Sequence, residues 1–221
     1  MKPAPKMIVM LTKHDLTTPD ALELFEGAKD APAEYWGFKD VGIPYEALED
    51  LHKHMKAAGK TTFIEIVKEE PEELMESVRF AAKIKADYLL HTKYTPEIQA
   101  ICSAAGVRYM PSLGKHVNHN LTGTIKDIVA EAKDLEEKGV YGFKLSAYRY
   151  IDGDPNELLN AVLSAANCHT CVTGSINGYA RLDALKANNV EMFTMGGALY
   201  AHKFGDSFAE QITNVVNYLN K

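Results

Sequence analysis

Short apolar runs recur eight times along the chain, each followed by a polar turn and a longer segment whose apolar residues have helical spacing. The predicted strands are 7–12, 34–39, 61–67, 87–92, 107–111, 141–146, 169–173 and 191–195. The predicted helices begin near Thr18, with Pro19 in the first turn, and then cover 45–58, 71–85, 96–105, 124–138, 156–166, 179–187 and 207–219. Strands that alternate with helices of this length predict βαβ units and a parallel sheet.

The number of units favours one of two architectures. Eight strand–helix units in 221 residues match a compact (β/α)8 barrel, which typically spans roughly 200–250 residues. The alternative, a doubly wound open sheet, usually carries a G-x-G-x-x-G turn after its first strand, whereas the turn here reads Lys13-His14-Asp15-Leu16. We therefore predict an α/β protein, with a single (β/α)8 TIM barrel domain and a parallel eight-stranded sheet over residues 1–221. Chemistry in such barrels lies at the carboxyl ends of the strands.

With 46% hydrophobic and 24% charged residues, the chain has the composition of an ordinary globular protein. The net charge of −6, with both signs interspersed, argues against a nucleic-acid partner, which would require a basic patch. No apolar run approaches the ~18 residues of a membrane span, and the apolar run after the basic N-terminus is too short for a signal peptide. We predict a cytoplasmic protein with no nucleic-acid or membrane partner, and homo-oligomerisation is left open.

The cysteines are Cys102, Cys168 and Cys171, and such an odd, low count fits a reducing compartment better than a disulfide framework. Cys168 and Cys171 have the C-x-x-C spacing of redox and metal motifs. A redox motif would open a helix, and a metal site would need a second pair of ligands, whereas these residues open a predicted buried strand. We interpret them as structural, and we predict no metal and no cofactor.

Glycine-bearing turns follow the last two predicted strands. One reads Thr173-Gly174-Ser175, and the other reads Met195-Gly196-Gly197-Ala198-Leu199-Tyr200. The loops after strands seven and eight are the frequent phosphate site of (β/α)8 barrels, and glycine lets backbone N–H groups approach an anion closely. We predict that Gly174, Ser175, Gly196 and Gly197 bind phosphate, with 197–200 as a short helix. The alternative is that these glycines only form tight turns.

The sixth predicted strand carries a lysine on its inward face. Period-two alternation puts Gly142, Lys144 and Ser146 on one face, and Phe143 and Leu145 on the other. An ammonium group is costly to bury unless it is paired or neutral, and a lysine whose pKa is lowered by burial can attack a carbonyl. We predict that Lys144 is a catalytic nucleophile. The alternatives are a fixed charge that contacts substrate and a structural ion pair with an interior carboxylate.

Two further residues are candidates for proton transfer. Glu65 shares a strand face with Phe63 and Val67, and a carboxylate among apolar neighbours can act as a general acid or base. Alternatively, Glu65 forms an ion pair with Lys144. His91 lies near the end of the fourth predicted strand, where it either transfers a proton near neutral pH or is a satisfied strand-end histidine.

Several other polar side chains are predicted at the strand ends. Lysines at such positions in an acidic protein indicate an anionic substrate with more than one charge, although each alone could be a solvated loop lysine. The candidate substrate-binding residues are Lys13, Lys39, Lys93, Ser112, Ser146 and Thr173. In the long polar loop 115–120, His116 and His119 could bind a metal, but we favour a solvated loop or a mobile lid.

The T-G-S and M-G-G-A-L-Y endings resemble the phosphate-binding, or ribulose-phosphate-binding, (β/α)8 barrels, whose enzymes act on phosphorylated sugars, sugar acids and tryptophan or histidine precursors. The chain also resembles the 2-keto-3-deoxy-6-phosphogluconate aldolase type of class I aldolase, through the segments 86–90, 95–98, 105–111, 143–147, 172–175 and 195–197. This resemblance implies a Schiff base on Lys144 and a general base at Glu65, within Phe63-Ile64-Glu65-Ile66-Val67. The family's glutamate lies on the second strand, and Glu65 lies on the third.

The leading hypothesis is a lyase of the class I aldolase type, in which Lys144 forms a Schiff base with a phosphorylated keto acid or ketose and Glu65, with His91, moves the proton. One alternative is an isomerase or epimerase of a phosphorylated sugar. In that case Glu65 and His91 do acid–base chemistry and Lys144 stabilises an enediolate. The third hypothesis is a non-catalytic barrel that binds a sugar phosphate.

Overall fold

The computed structural model describes residues 3–91 and 93–221, without the side chain of His91. Over this part of the chain, eight parallel strands alternate with helices, as the apolar pattern predicts. The strands are β1 (Lys6–Met10), β2 (Tyr35–Lys39), β3 (Thr61–Glu65), β4 (Tyr88–His91), β5 (Arg108–Pro111), β6 (Gly142–Leu145), β7 (His169–Val172) and β8 (Met192–Met195). They are hydrogen-bonded in the order β6-β7-β8-β1-β2-β3-β4-β5. The predicted strand end at residue 92 lies outside the described residues.

The sheet closes on itself between its two end strands, β5 and β6. A parallel bridge just beyond β5 joins Ser112 to Lys144, and the N–H of Leu113 donates to the carbonyl of Lys144 at 3.0 Å. The prediction of a (β/α)8 barrel is therefore confirmed, and the alternative of a doubly wound open sheet is wrong.

Eight longer helices of the described chain cover the outside of the barrel. They are α1 (Ala21–Ala28), α2 (Tyr45–Ala57), α3 (Pro71–Ile84), α4 (Pro96–Ala105), α5 (Ile125–Glu137), α6 (Pro155–Ala165), α7 (Tyr179–Ala187) and α8 (Phe208–Leu219). Each buries a stripe of side chains against the strands, such as Leu48, Leu51 and Met55 of α2. The first helix begins at Ala21 rather than near Thr18, because Asp20 is its N-cap residue.

Inward-facing side chains fill the amino-terminal and middle parts of the barrel. The interior cluster consists of Ile8, Met10, Phe63, Tyr88, Leu90, Met110, Cys171 and Met192. The ring of Phe63 stacks on that of Tyr88 at a centroid distance of 4.2 Å, and the guanidinium of Arg108 lies 4.9 Å from the Tyr88 ring centroid. Because apolar and aromatic groups occupy these layers, the inward-facing polar residues are concentrated at the carboxyl end.

Short hairpins extend from the carboxyl end of the barrel where a turn and a loop are predicted. The first hairpin pairs Thr12–Lys13 with Leu16–Thr17, and the second hairpin pairs Lys115–Val117 with Asn120–Thr122. The first predicted strand is therefore too long, since β1 ends at Met10. The segment 115–120, interpreted as a solvated loop or a mobile lid, is largely exposed but forms a paired hairpin that extends to Thr122, and the neighbouring Leu121 is buried.

The two hairpin turns explain why the predictions miss them. The central residues are His14 and Asp15 in one turn and Asn118 and His119 in the other, and all four have φ between 49° and 65°. Turns with positive φ at both central residues match the twist of paired strands. They usually contain glycine, but Asn, Asp and His adopt this conformation more readily than other residues do.

Gly37 lies on the inward face of β2, where the packing leaves no space for a larger side chain. A Cβ atom at this position would lie 2.7 Å from Sδ of Met10 and 2.9 Å from the carbonyl oxygen of Phe63. We expect Gly37→Ala to lower the free energy of unfolding by about 1–3 kcal/mol, the usual cost of overpacking a core. Chemical denaturation measures this change.

The matched control is Gly27→Ala in α1, where the added Cβ has no described atom within 4 Å. This variant should be as stable as the wild type or more stable by up to about 1 kcal/mol, because alanine favours helix over glycine. Equal stability of the Gly37 and Gly27 variants would contradict the packing described for β2.

Candidate active site

A cavity of about 780 Å³ opens at the carboxyl ends of the strands. Its walls include the two hairpins and the loops that follow β6, β7 and β8. Among the predicted site residues, the lining contains Lys39, Glu65, Ser112, Lys144, Ser146, Thr173, Gly174, Ser175, Gly196 and Gly197. Residues far apart in the sequence thus meet around one cavity.

Two predicted site residues, Lys13 and Lys93, are not part of this lining. Lys13 is exposed on the first hairpin, because β1 ends at Met10 and the chain then reverses. Lys93 is exposed beyond β4, and its backbone carbonyl accepts a hydrogen bond from the Tyr109 hydroxyl at 2.5 Å. His91 ends β4, but its side chain lies outside the described residues.

Four charged side chains of alternating sign form a chain across the cavity. Nζ of Lys144 donates to Oε1 of Glu65 at 2.5 Å. Nζ of Lys39 lies 3.4 Å from Oε2 of Glu65 and donates to Oδ1 of Asp15 at 2.6 Å. Lys39, Glu65 and Lys144 are buried, and Asp15 is half-buried. The ion pair that the sequence suggests for Glu65 and Lys144 is therefore present.

The barrel topology brings these charges together. Lys39 and Glu65 lie opposite each other on the neighbouring strands β2 and β3. Lys144 lies on β6, three strands further around the barrel. Since alternate residues of a strand face the interior, all three positions point into the barrel. Asp15 is added from the turn of the first hairpin, which the sequence did not single out.

Neighbouring charges keep two of these buried groups, Glu65 and Lys39, in their ionised forms. Burial alone would raise the pKa of Glu65, but the ammonium groups of Lys144 and Lys39 outweigh burial and lower that pKa below its usual value. Burial alone would lower the pKa of Lys39, but Glu65 and Asp15 outweigh it and raise that pKa. Glu65 is thus a carboxylate, and Lys39 an ammonium group, at neutral pH.

Three hydroxyl side chains of the cavity lining lie just beyond the ends of β5, β6 and β7. Oγ of Ser146 and Oγ1 of Thr173 are hydrogen-bonded at 3.0 Å. Ser112, which bridges to the backbone of Lys144, has a buried Oγ without a hydrogen-bond partner among the described residues. Because leaving a buried hydroxyl unpaired costs free energy, Ser112 is a group that a ligand could satisfy.

The second hairpin brings His116 over the cavity. Its Nε2 lies 3.3 Å from Oγ of Ser146. Burial, together with the positive charges of Lys144 and Arg149, lowers the pKa of His116 to about 4. The imidazole is therefore neutral at pH 7. Sequence reasoning considered His116 only as a metal ligand or a loop residue, because the hairpin that aims it inward was not predicted.

The two hairpins meet across the mouth of the cavity. Nδ1 of His119, on the second hairpin, lies 3.7 Å from Oδ2 of Asp15 on the first. No group of three His, Cys, Asp or Glu side chains that could hold a metal ion occurs among the described residues. Cys171 belongs to the interior cluster, Cys168 is half-buried, and both are free thiols. None of the described helices combines the length and apolar character required to cross a membrane.

The two glycine-bearing loops present backbone donors to the cavity. Gly174 and Ser175 have φ of 77° and 58°, and the predicted short helix is present at Gly197–Tyr200. A Cβ atom at Gly196 would lie 2.9 Å from the carbonyl oxygen of Thr12, so glycine permits the close approach of the first hairpin. The N–H groups of residues 174, 175, 197 and 198 have no acceptor among the described residues. Such N–H groups are suited to bind an anion.

An arginine that sequence reasoning missed also lines this part of the cavity. Arg149 ends the 3-10 helix Ala147–Arg149, which follows β6. The periodicity that identifies inward positions applies only within a strand, so it could not assign a direction to this residue. The only sequence signal for Arg149 is its positive charge shortly after the sixth predicted strand.

The fold and the cavity define a (β/α)8 barrel with a polar site at the carboxyl ends of its strands, where barrel enzymes have their active sites. No protein-family model and no curated protein matches the chain. Solved structures do match it. The tryptophan synthase α-subunit from Pyrococcus furiosus is 12% identical with a TM-score of 0.72, and the alignment covers 100% of both chains.

Two other solved structures are similar to the same degree. Orotidine 5'-phosphate decarboxylase from Pyrococcus horikoshii OT3 is 13% identical, with a TM-score of 0.71 over 97% of this chain and 99% of that chain. The native KDPGal structure is 15% identical, with a TM-score of 0.70 over 100% of this chain and 98% of that chain. These matches confirm the (β/α)8 barrel fold.

Glu65→Gln removes the carboxylate that balances two buried lysines. The pKa of Glu65 in the folded protein lies below the unfolded value of 4.5. Its stabilising effect is therefore complete above the unfolded pKa and is lost as the pH falls through the folded pKa. We expect Glu65→Gln to lower the free energy of unfolding by about 3–5 kcal/mol near neutral pH. The difference in the free energy of unfolding between Glu65→Gln and wild type should become smaller as the pH falls below about 4.5.

Urea unfolding at a series of pH values measures this difference. The control is Glu69→Gln, at an exposed carboxylate of the cavity lining that forms no ion pair with any described residue. It should change the stability little at any pH. A loss of stability in Glu65→Gln that stays constant down to pH 3 would show that the charge of Glu65 is not responsible.

Proposed function

We propose that the protein is a lyase of the class I aldolase type, acting on a phosphorylated keto acid or ketose through a Schiff base on Lys144. The observation that carries the proposal is the 2.5 Å contact between Nζ of Lys144 and Oε1 of Glu65 in a polar cavity. Catalysis by an amine nucleophile requires a group in direct contact that can accept its proton. The fold similarity to the native KDPGal structure is consistent with this proposal.

The Lys144–Glu65 contact supplies the proton transfers that imine formation needs. As the amine adds to the substrate carbonyl, Glu65 accepts the proton that Lys144 gives up along their hydrogen bond. A second proton moves from the added nitrogen to the alkoxide to form the carbinolamine hydroxyl, and the carboxylic acid of Glu65 then protonates this hydroxyl, which leaves as water. Lys39, on the other oxygen of the carboxylate, keeps Glu65 oriented throughout.

The iminium ion then acts as the electron sink for the carbon–carbon bond. The electron pair of the breaking carbon–carbon bond forms the C=C bond of an enamine, and the π pair of the C=N bond moves onto the nitrogen. Glu65 takes up the proton that the departing carbonyl fragment releases. Protonation of the enamine carbon and addition of water regenerate Lys144 and release the second product. In the synthetic direction, the same steps run in reverse.

Substrate binding would divide between two regions of the cavity. Phosphate would bind to the backbone N–H groups around Gly174, Ser175, Gly196 and Gly197. Hydroxyl or carboxylate groups near the carbonyl would bind to Lys39, Ser112, Ser146 and Thr173. The buried ammonium of Lys39 would also attract a second negative charge, such as the carboxylate of a phosphorylated keto acid.

Borohydride trapping tests the covalent step. We expect a reduced adduct on Lys144 when the wild-type protein is incubated with phosphorylated and free 2-keto acids and ketoses, reduced, and mapped by peptide mass spectrometry. Lys144→Arg keeps the positive charge beside Glu65 but cannot form a neutral amine at accessible pH, so it should form no adduct. Lys39→Arg is the matched control and should retain the adduct on Lys144.

The other outcomes select among the remaining hypotheses. An adduct on Lys39 instead of Lys144 would keep the reaction class and overturn the assigned nucleophile. An isomerase or epimerase would exchange substrate protons with solvent in a manner that depends on Glu65, and would leave no adduct. A non-catalytic barrel would bind a sugar phosphate, with neither an adduct nor proton exchange.

Ser112→Ala separates a role in binding from a role in folding. Because the Ser112 hydroxyl has no described partner, its removal should leave the free energy of unfolding unchanged or raise it by about 1 kcal/mol. The rate of adduct formation should fall by about threefold to tenfold, the loss of one hydrogen bond to the substrate.

Thermal unfolding and timed borohydride trapping give the two readouts for Ser112→Ala. The control is Ser146→Ala, which leaves Thr173 without its 3.0 Å hydrogen bond and should be less stable than wild type by about 1 kcal/mol. If Ser112→Ala lowered the stability and left the trapping rate unchanged, a structural role for Ser112 would replace the proposed one.

A further inference from the structure

The half-buried side chain of Arg149 lies against the loop that follows β7. A Cβ atom at Gly174 would be 2.5 Å from Nε of Arg149 and 3.0 Å from its Cζ. The guanidinium therefore occupies the space that any larger side chain at residue 174 would need. Gly174 also has a φ of 77°, which glycine adopts without strain. Gly174 is thus required both for the positive φ of the turn and for the close approach of the Arg149 side chain.

The guanidinium of Arg149 makes no ion pair or hydrogen bond with any described residue. Other arginines near the barrel have partners. Nη1 of Arg181 donates to the carbonyl oxygen of Ser175 at 2.7 Å, and Arg108 lies over the Tyr88 ring. Arg149 is half-buried and unpaired among the described residues. Its guanidinium can therefore donate hydrogen bonds to an acceptor from outside the chain.

The short 3-10 helix and its neighbours hold Arg149 at this position. The N–H of Arg149 donates to the carbonyl of Ser146 at 2.9 Å. The next residue, Tyr150, bridges to Leu121 of the second hairpin. The positive charge of Arg149 is close enough to contribute to lowering the pKa of both Asp15 and His116. Arg149 therefore faces the cavity and not the outer surface of the barrel.

We propose that Arg149 is the residue that makes this site specific for a phosphate monoester. The unpaired N–H groups of Gly174 and Ser175 can donate to any small anion. A guanidinium adds a rigid pair of donors that match two oxygens of one phosphate and favour its dianion. The inference deepens the proposed function, on whose phosphate subsite it rests.

Binding of inorganic phosphate and of glycerol 3-phosphate to the full-length protein, measured by calorimetry, tests this role. We expect Arg149→Met to raise the dissociation constant of both by at least tenfold. Arg149→Lys keeps the charge but not the paired donors, so it should fall between Arg149→Met and wild type. Because the Arg149 guanidinium has no described partner, both variants should unfold at nearly the wild-type temperature.

The matched control is Arg79→Met, which removes an exposed arginine of α3 and the same net charge. Its dissociation constants should stay within twofold of wild type. Arg149→Met with unchanged phosphate binding would overturn the inference, as would an equal loss in Arg79→Met. Absence of phosphate binding by the wild-type protein at millimolar concentration would also overturn it.

Trapping with pyruvate separates this inference from the proposed lyase activity. Pyruvate carries no phosphate, so Arg149→Met should form the Lys144 adduct as the wild type does. If the wild type forms no adduct with any keto acid or ketose but loses phosphate binding in Arg149→Met, the specificity role stands and the lyase proposal fails. If the adduct forms and Arg149→Met binds phosphate normally, only the role of Arg149 fails.

Discussion

The ion chain from Lys144 through Glu65 and Lys39 to Asp15 is the constraint that shapes the carboxyl end of this barrel. Two buried ammonium groups and a buried carboxylate are costly unless each stays paired. Their pairing requires β3 and β6 to face each other across the interior, which only a closed barrel provides. It also fixes the first hairpin, because Asp15 must reach Lys39 at 2.6 Å. Closure, hairpin position and site charge therefore depend on one another.

The same chain gives each lysine a different environment. Lys39 lies between two carboxylates, which stabilise its charge. Among the described residues Lys144 has one carboxylate partner, Glu65, at 2.5 Å, so one proton transfer is enough to free its amine. Because of this difference in partners, we assign the proposed nucleophile to Lys144 and the role of a fixed positive charge to Lys39. Strand alternation alone could not distinguish them, since both point inward.

Alternation within strands made Glu65 and Lys144 predictable, because the period of two holds wherever one face of a strand is buried, and Lys39 was predictable from its position at a strand end. Glycines after β7 and β8 likewise marked the loops whose N–H groups have no acceptor among the described residues. Lys13 was assigned to a strand end because nothing in its sequence showed that His14 and Asp15 would reverse the chain without glycine. His116 and Arg149 were not predicted as cavity residues. A hairpin directs His116 and a 3-10 helix directs Arg149 toward the cavity, and neither of these elements has a periodic sequence pattern.

The cavity combines satisfied acceptors with unsatisfied donors. Its buried or half-buried carboxylates, Glu65 and Asp15, already bind lysines. By contrast, the hydroxyl of Ser112, the guanidinium of Arg149 and the N–H groups around Gly174 have no acceptor among the described residues. A ligand that suits this balance must bring oxygen acceptors and negative charge. An acidic protein with a net charge of −6 can still attract such a ligand, because its donors are concentrated where the strands end.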